Sequence, residues 1–340
     1  MTYAILLQAD AGSDFVQGSI QGKISQKDVV TPYLDEMATN LHKGHKPLRV
    51  VIDAGNATAG ITAVPLYERL GYEVIPLYCE LDATFPNHHA DPTVEENLAD
   101  LKKAVAEHQA DLGIAFDGDA DRLGVVDKHG QVIWGDKLMI IYARELLKVE
   151  PGATIIGEVK CSKTMYDAIR ASGGNAIMGR TGHSLIKAKM KECGALLAGE
   201  MSGHIFFKHR FYGFDDAVYA GGRLLEILSG SGQTLDAMLS DVPKTFSTPE
   251  IRLECPETMK FELVDRVRAA FAEQSVVEGF RVLDIDGVRA EWDDGWGLVR
   301  ASNTGPILVL RFEATSSERL AGIKGRFEQT IAQQRRELSA

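Results

Sequence analysis

The chain has 340 residues, a length that predicts two to three domains at roughly 100–200 residues per domain. Hydrophobic residue types make up 45% of it and charged types 25%, which is typical of folded globular proteins and excludes a disordered, collagen-like or coiled-coil polypeptide. The formal net charge of −11 makes nucleic acid an unfavourable partner, because its phosphate backbone would be repelled over most of the surface.

The cysteines and the apolar runs indicate the cellular compartment. The four cysteines lie far apart and include no Cys-x-x-Cys pair, so neither a zinc cluster nor a disulfide framework is expected. The longest apolar stretches are far shorter than the ~18 residues of a membrane span, and the amino terminus lacks the basic region of a signal peptide. We therefore expect a cytoplasmic protein with no membrane partner.

The first 44 residues are predicted to form a segment ahead of the first complete domain. Within it, residues 17–26 have the composition of a turn-rich connector. Residues 29–42 (VVTPYLDEMATNLH) predict a helix that opens at Thr31 and Pro32.

Two α/β domains are predicted to follow, over residues 45–148 and 149–248. Short β-branched runs, turns with glycine or serine, and helical periods recur in that order, which indicates α/β domains with mixed, largely parallel sheets. One helix is predicted over residues 94–109, where apolar residues follow helical spacing. The segments VVIDAGNATAG and TIIGEVKCSKTM occupy equivalent places in the two units, which hints at an internal duplication.

The pattern changes at about residue 249. Short alternating strands with Gly and Asp turns fill the centre of residues 249–340, and helices begin near Met259 and Ser316. This arrangement predicts a smaller α+β domain with an antiparallel sheet.

Three aspartates at alternate positions, Asp117, Asp119 and Asp121, follow an apolar strand in the segment AFDGDADRLG. A tight loop can turn such carboxylates to one point, where their repulsion is tolerable only with a hard cation among them, so we predict a divalent metal site. An EF-hand is excluded, because Arg122 and Lys128 stand where that loop needs a glycine and an acid. The alternative is a solvated acidic turn.

A second polar cluster, Glu200, Ser202 and His204, interrupts apolar runs in LLAGEMSGHIFF. A carboxylate and a hydroxyl two residues apart suit neighbouring hydroxyls of a sugar, and a histidine beside them can move protons near neutral pH. The alternative is a turn with a structural histidine.

A third cluster, Arg300, Ser302, Asn303 and Thr304, lies in a predicted turn between two strands. A guanidinium, two hydroxyls, an amide and exposed backbone N–H groups supply the donors that phosphate oxygens require. The alternative is a polar turn that only reverses the chain.

Four other residues, three histidines and a lysine, are candidates for a site but lie outside these clusters. His88 and His89 are adjacent, so in an extended loop they point oppositely and are expected to be structural. Lys160 and His183 lie near strand-to-helix turns, where the sites of α/β proteins gather.

The motifs DGDADR, GEMSGH and RASNTGPILVLRFEA, in this order, resemble those of the α-D-phosphohexomutases, and among these the bacterial phosphomannomutase/phosphoglucomutase group. VVIDAGNATAG, FPNHHADPTVEENL, TGHSLIKAKM and FYGFDDAVYAGGRLLEIL add to the likeness, which covers roughly residues 25–340. The resemblance implies three domains like those predicted here after an amino-terminal fourth, with an active site in the cleft where all four meet.

The resemblance also implies a role for each candidate residue. Asp117, Asp119 and Asp121 would hold Mg²⁺, and Arg122 would assist the transferring phosphate. Lys160 and His204 would transfer protons. The residues implied to bind substrate are His183, the loop residues Glu200, Met201, Ser202 and Gly203, and the phosphate-binding residues Arg300, Ala301, Ser302, Asn303 and Thr304.

The sequence departs from the family pattern at the nucleophile. Family members carry a phosphorylated serine followed by His-Asn-Pro in the first domain, and no Ser-His-Asn-Pro occurs in this chain. We therefore expect residues 1–44 to be the remnant of a missing first domain. The chain would be a phosphohexomutase moiety that acts on a hexose phosphate, with a hexose 1,6-bisphosphate as activator or intermediate, and would be inactive without a separate first domain. A non-catalytic phosphosugar-binding protein and a magnesium phosphatase with an aspartate nucleophile are the alternatives.

Overall fold

The structure, a computed structural model, describes residues 25–339. Helix α1 spans Val30–Asn40. It begins at Val30 rather than at Thr31, because the Asp28 carboxylate accepts the backbone N–H groups of both residues. A helix start leaves such donors without backbone partners, and Asp28 satisfies two of them. Residues 17–24 of the predicted connector lie outside the described residues.

The first sheet lies between residues 49 and 133. Its strands are β1 (Arg49–Asp53), β2 (Glu73–Leu77), β3 (Leu112–Phe116), β4 (Leu123–Asp127) and β5 (Val132–Ile133), and its helices are α2 (Ala63–Arg69) and α3 (Ala99–Glu107). The strand order is β2-β1-β3-β4-β5, with β2, β1 and β3 parallel and the last two strands antiparallel to their neighbours. The helix predicted over residues 94–109 is present as a 3₁₀ helix, Glu95–Leu98, that leads into α3.

The second sheet lies between residues 154 and 207. Its strands are β6 (Thr154–Glu158), β7 (Asn175–Gly179), β8 (Leu197–Gly199) and β9 (Ile205–Phe207); the helices in this part of the chain are α4 (Gly135–Val149), α5 (Lys163–Ala171), α6 (His183–Cys193), α7 (Ala217–Ser231) and α8 (Leu235–Met238). The strand order is β7-β6-β8-β9, with only β9 antiparallel. This order repeats that of β2-β1-β3-β4, so the two segments that hint at a duplication do occupy equivalent strands and turns.

The last sheet is antiparallel. Its strands are β10 (Phe246–Ser247), β11 (Ile251–Glu254), β12 (Arg281–Leu283), β13 (Val288–Trp292), β14 (Gly295–Ala301) and β15 (Ile307–Ala314), and its helices are α9 (Lys260–Glu278) and α10 (Ser317–Ser339). The order is β10-β15-β14-β13-β12, and β11 pairs with β15. Two α/β sheets followed by an antiparallel α+β unit confirm the predicted fold class. Among residues 25–339, no helix is long and apolar enough to cross a membrane.

One hydrophobic core joins the first two sheets, because helix α7 packs between them. The hydroxyl of Tyr67 donates to Val218 O at 2.8 Å, and that of Tyr142 donates to Ala220 O at 2.9 Å. The last unit has its own core around Phe271, Phe312 and Phe327.

Two elements lie near the predicted domain boundaries. Helix α4 packs against α5 and β8 of the second sheet, although it precedes the boundary predicted at residue 148. Strand β10 pairs with β15 of the last sheet, although it precedes the boundary predicted at residue 248. The boundaries themselves stay predictions.

Candidate active site

A cleft of about 740 Å³ opens where loops of the three sheets meet. Four of the predicted site residues line it, namely Arg122, Lys160, Met201 and Ser202. The linker between the second and third units also contributes, with Glu250 among its lining residues. The other candidate residues lie in loops that hydrogen bonds connect to these.

The acidic loop joins β3 to β4. One carboxylate oxygen from each of Asp117, Asp119 and Asp121 lies within 4.8 Å of the others. Asp117 is buried, Asp119 is exposed and Asp121 is intermediate. Ala120 adopts a left-handed backbone (φ +63°), which reverses the chain tightly enough to bring the three side chains together.

The Asp117 carboxylate holds both the backbone of the acidic loop and the side chain of Arg122 in place. Its Oδ1 accepts the backbone N–H groups of Asp121 and Arg122, both at 3.0 Å, and its Oδ2 accepts Nε of Arg122 at 2.6 Å. A second carboxylate, Asp91, accepts Nη1 of Arg122 at 3.0 Å. The guanidinium is thus held in one orientation at the wall of the cleft.

The acidic loop has the chemistry that a hard divalent cation requires. Burial raises the pKa of Asp117 to about 6, and the charge of Asp121 adds to this shift while Arg122 opposes it. Magnesium prefers carboxylate oxygens, and a cation among the three would relieve their repulsion. The residues present therefore fit a Mg²⁺ ion.

The second predicted loop joins β8 to β9 and touches the first. His204 lies between two carboxylates, with Nδ1 2.8 Å from Glu200 Oε2 and Nε2 3.2 Å from Asp121 Oδ1. The Ser202 hydroxyl lies 3.0 Å from the same Nδ1. The β8–β9 loop and the acidic β3–β4 loop therefore share one hydrogen-bonded system.

Gly203 allows the two loops to approach. It has a φ of +98°, and Leu123 donates its backbone N–H to Gly203 O at 3.0 Å. A Cβ at this position would lie 2.4 Å from Leu123 O, so any side chain here would separate the loops.

The electrostatics of His204 favour its charged form. Burial by itself would lower the pKa of His204, but hydrogen bonds to Asp121 and Glu200 raise it to about 9. Burial by itself would raise the pKa of Glu200, but the His204 hydrogen bond and charge lower it. Near neutral pH the pair is an imidazolium beside a carboxylate, and His204 holds a proton that it can donate.

His183, at the start of α6, reaches the same place. Its ring stacks on that of His204 with centroids 6.2 Å apart, and its Nδ1 lies 3.2 Å from Asp215 Oδ2. The side chain is 55% exposed, so it remains open to a ligand. The backbone N–H just before it, on Gly182, donates to Glu200 Oε1 at 2.7 Å.

Lys160 is buried at the carboxyl end of β6. Its ammonium lies 3.0 Å from Glu250 Oε2. Burial by itself would lower the pKa of Lys160, but the charges of Glu158 and Glu250 raise it, so the ammonium stays protonated at neutral pH.

Two buried arginines of the last sheet hold the Lys160 backbone. Arg289 donates Nη1 to the carbonyls of Val159 and Cys161, at 2.6 and 2.7 Å. Arg311 donates to the carbonyl of Lys160 itself. Three consecutive carbonyls are thus fixed by the neighbouring unit, which orients Lys160 in the cleft.

The third predicted loop joins β14 to β15. The first three residues of the loop, Arg300, Ala301 and Ser302, are buried. The next two, Asn303 and Thr304, are exposed. The Ser302 hydroxyl accepts the backbone N–H of Thr304 at 3.2 Å. The turn is therefore anchored at its buried residues and exposes Asn303 and Thr304, an arrangement suited to binding a phosphate.

Asp286 connects this loop to the second sheet. Its Oδ2 accepts Nε of Arg300 at 2.9 Å and the backbone N–H of Thr181 at 3.0 Å. Thr181 precedes Gly182, which binds Glu200. A path of hydrogen bonds, joined at the peptide bond between Thr181 and Gly182, therefore runs from Arg300 through Glu200 and His204 to Asp121.

Sequence reasoning missed the carboxylates that orient the candidate residues: Asp91, Asp215, Glu250 and Asp286. Asp91 and Asp215 stand in motifs, HADPT and GFDD, that carried some signal. Glu250 and Asp286 lie in unremarkable loop sequence, and only the fold brings them to Lys160 and Arg300.

Comparison with known proteins matches three consecutive segments of the chain to domains of one family. Residues 31–130 match the phosphoglucomutase/phosphomannomutase alpha/beta/alpha domain II, residues 134–246 match alpha/beta/alpha domain III, and residues 250–330 match the C-terminal domain. A phosphomannomutase/phosphoglucomutase of Pseudomonas putida is 48% identical over 90% of this chain and 65% of its own length. A phosphoglucomutase of Neisseria gonorrhoeae is 48% identical over 93% of this chain and 68% of its own length.

Solved structures give the same result. A phosphoglucomutase/phosphomannomutase family protein from Burkholderia thailandensis superposes with a TM-score of 0.85 at 44% identity, over 98% of this chain and 69% of that one. The chain spans about two thirds of the length of the curated relatives it matches. It belongs to the phosphoglucomutase/phosphomannomutase family, as its three motifs predict.

Proposed function

We propose that this chain is the metal-, sugar- and phosphate-binding part of a phosphohexomutase, which moves a phosphoryl group between the 1 and 6 positions of a hexose phosphate. The path of hydrogen bonds from Arg300 through Glu200 and His204 to Asp121 carries this proposal. Along this path a group of hydrogen-bond donors, a polar loop and a carboxylate cluster follow one another in a fixed order, which supports binding of a phosphate, a sugar and a metal ion in that order. A substrate with phosphate at one end and a reacting hydroxyl at the other needs that order.

The metal end of the site would act on the phosphoryl group in transfer. Asp117, Asp119 and Asp121 would hold Mg²⁺, which supplies charge neutralisation to the transferring oxygens when bound. Arg122, fixed by Asp117 and Asp91, would add a guanidinium on the cleft side.

Two residues are suited to proton transfer. Lys160 and His204 are both protonated near neutral pH, so each can donate a proton to the oxygen that the phosphoryl group leaves. By microscopic reversibility, the same residue accepts the proton of the attacking hydroxyl in the opposite half-reaction.

The remaining candidates would bind substrate. Glu200 and Ser202 would accept from and donate to sugar hydroxyls. The other residues assigned to substrate binding are His183, Met201, Gly203, Arg300, Ala301, Ser302, Asn303 and Thr304.

The phosphoryl carrier is the component that the sequence does not supply. No Ser-His-Asn-Pro occurs in the 340 residues, and without a covalent carrier the binding groups alone should not support turnover. We propose that activity requires a first domain with its phosphoserine, and that a hexose 1,6-bisphosphate serves as intermediate. The same missing motif favours a second candidate function, a non-catalytic phosphosugar-binding protein.

A complementation assay separates the two functions. Interconversion of mannose and glucose 1- and 6-phosphates is measured with Mg²⁺ and the bisphosphate, with and without a separately expressed first domain of a family member. We expect no turnover alone and turnover with the added domain. Failure to complement, with hexose phosphate still bound, would favour the binding protein; turnover by the chain alone at an ordinary rate of ~10 s⁻¹ would refute the requirement for a carrier.

Binding is tested directly by calorimetry with glucose 6-phosphate. Arg300→Ala removes a charge-assisted donor and should cost roughly 1.5–3 kcal/mol of binding free energy. Arg266→Ala is the matched control, because Arg266 pairs only with Glu262 on the surface of α9 in the described structure. Equal affinities of wild type and Arg300→Ala would count against the phosphate assignment.

A further inference from the structure

The turn between β14 and β15 rests on a buried lysine from another element. Lys260 is the first residue of α9 and is 1% exposed. Its Nζ donates to Ser302 O at 2.6 Å, to Gly305 O at 3.0 Å and to Glu257 Oε2 at 2.7 Å. An ammonium has three N–H donors, so each of them has a partner.

This placement is costly for a lysine. Burial of an ammonium is unfavourable unless the charge is paired, and a cation in the first turn of a helix is opposed by the helix dipole. The paired carboxylate, Glu257, has a side chain that is 64% exposed, so it compensates the buried charge only in part. The carbonyls of Ser302 and Gly305 must provide the remaining stabilisation.

Those two carbonyls bracket the exposed tip of the turn, Asn303 and Thr304. A phosphate needs donors, and carbonyl oxygens that faced it would repel it. Lys260 keeps both oxygens directed toward its own ammonium. Its charge beneath the turn also favours an anion on the turn, because a partly desolvated charge is screened less than one in water.

We infer that Lys260 is a positioning residue for phosphate binding by residues 302–305, an inference that rests on the proposed function. It does not need to touch the ligand. It holds the two ends of the turn so that the hydroxyls and N–H groups between them are preorganised before the phosphate arrives.

Three substitutions of the full chain separate the contributions of charge and hydrogen bonding. Lys260→Arg keeps the charge and its donors, Lys260→Gln keeps a neutral donor, and Lys260→Met keeps only the apolar volume. Glu257→Gln is the control, since it alters the exposed partner and leaves both carbonyl contacts. Each variant is first checked by circular dichroism and thermal unfolding, and glucose 6-phosphate binding is then measured by calorimetry.

We expect Lys260→Met to weaken glucose 6-phosphate binding at least tenfold, Lys260→Gln to give an intermediate loss, and Lys260→Arg to restore affinity to within about threefold of wild type. Glu257→Gln should bind as wild type does. Hydrogen exchange of the amides in residues 302–305 should be faster in the Met and Gln variants even without ligand. If Lys260→Met does not fold, Lys260→Gln provides the comparison.

The outcomes distinguish this inference from the function on which it rests. Folded Met and Gln variants with wild-type affinity and unchanged exchange would overturn the role of Lys260 alone, provided that Arg300→Ala loses binding. Wild type that does not bind glucose 6-phosphate would overturn the proposed function, and with it this inference.

Discussion

The β3–β4 loop and the β8–β9 loop occupy the same position in two sheets of the same strand order, yet their chemistry differs. The first presents three carboxylates and an arginine, and the second presents one carboxylate, a hydroxyl and a histidine. They meet face to face, since Arg122 and His204 form an isolated β-bridge. A repeated scaffold has therefore brought the acidic loop and the polar loop into contact.

The central strands of the two sheets show the same difference at their carboxyl ends. Asp53 ends β1 and Glu158 ends β6, and both are fully buried. Asp53 pairs with the ring of His88, whereas Glu158 accepts the backbone N–H of Lys160 and the hydroxyl of Thr181. The first carboxylate secures a loop of its own unit, and the second orients candidate site residues. Equivalent positions thus serve stability in one unit and the site in the other.

The largest expected effect on stability comes from the glycine of the β8–β9 loop, Gly203. Gly203→Ala combines a φ of +98° with a Cβ 2.4 Å from Leu123 O, so it should lower the free energy of unfolding by about 2–3 kcal/mol. Gly118→Ala in the acidic loop is the matched control, because among residues 25–339 its Cβ would have no neighbour within 4 Å apart from the residues adjacent to it in the chain. Chemical denaturation of both variants measures the difference. Equal stabilities would show that the contact between the loops is not tight.

Local pattern predicted the parts of the site whose residues are neighbours in sequence. The aspartates of DGDADR and the polar residues of GEMSGH are each brought together by a single turn, so spacing alone revealed them. Their orientation depends on partners that are distant in sequence. Asp91 is 31 residues from Arg122, and Asp286 is 105 residues from Thr181. Such pairs follow from how sheets pack, which hydrophobic periodicity does not specify.

Mg²⁺ should stabilise the protein by binding to the acidic β3–β4 loop and not to the β8–β9 loop. Binding to the folded state stabilises it by about 1.4 kcal/mol at ten times the dissociation constant, so the wild-type melting temperature should rise across a magnesium series. Asp119→Asn should lose most of this response, since Asp119 is exposed and contributes one of three clustered carboxylates. Asp265→Asn, an exposed aspartate of α9, is the control. If the wild-type melting temperature does not change with magnesium up to tens of millimolar, the loop is a solvated acidic turn and not a metal site.

A further effect is a pH dependence of the free energy of unfolding that comes from His88 in the first unit; the raised pKa of His204 adds its own dependence, which is the same in wild type and in a His88 variant. The hydrogen bond to Asp53 raises the pKa of His88 to about 9, while partial burial opposes the shift. A folded pKa above the unfolded value of about 6.5 gives stability that is complete below pH 6.5 and is lost as the pH rises through 9.

His88→Gln should remove the contribution of His88 to this dependence. Because the His88 side chain is only 14% exposed and Asp53 is buried, solvent screens their interaction little, and the expected loss is on the order of 2 kcal/mol between pH 6.5 and 9.5. Urea denaturation of wild type and His88→Gln across this range measures it: wild type should be the more stable protein at pH 6.5, and the difference should narrow by pH 9.5. His45→Gln controls for titration of an exposed histidine. A difference that stays constant with pH would mean that His88 contributes packing and no charge, and that Asp53 at the end of β1 is stabilised by neutral donors.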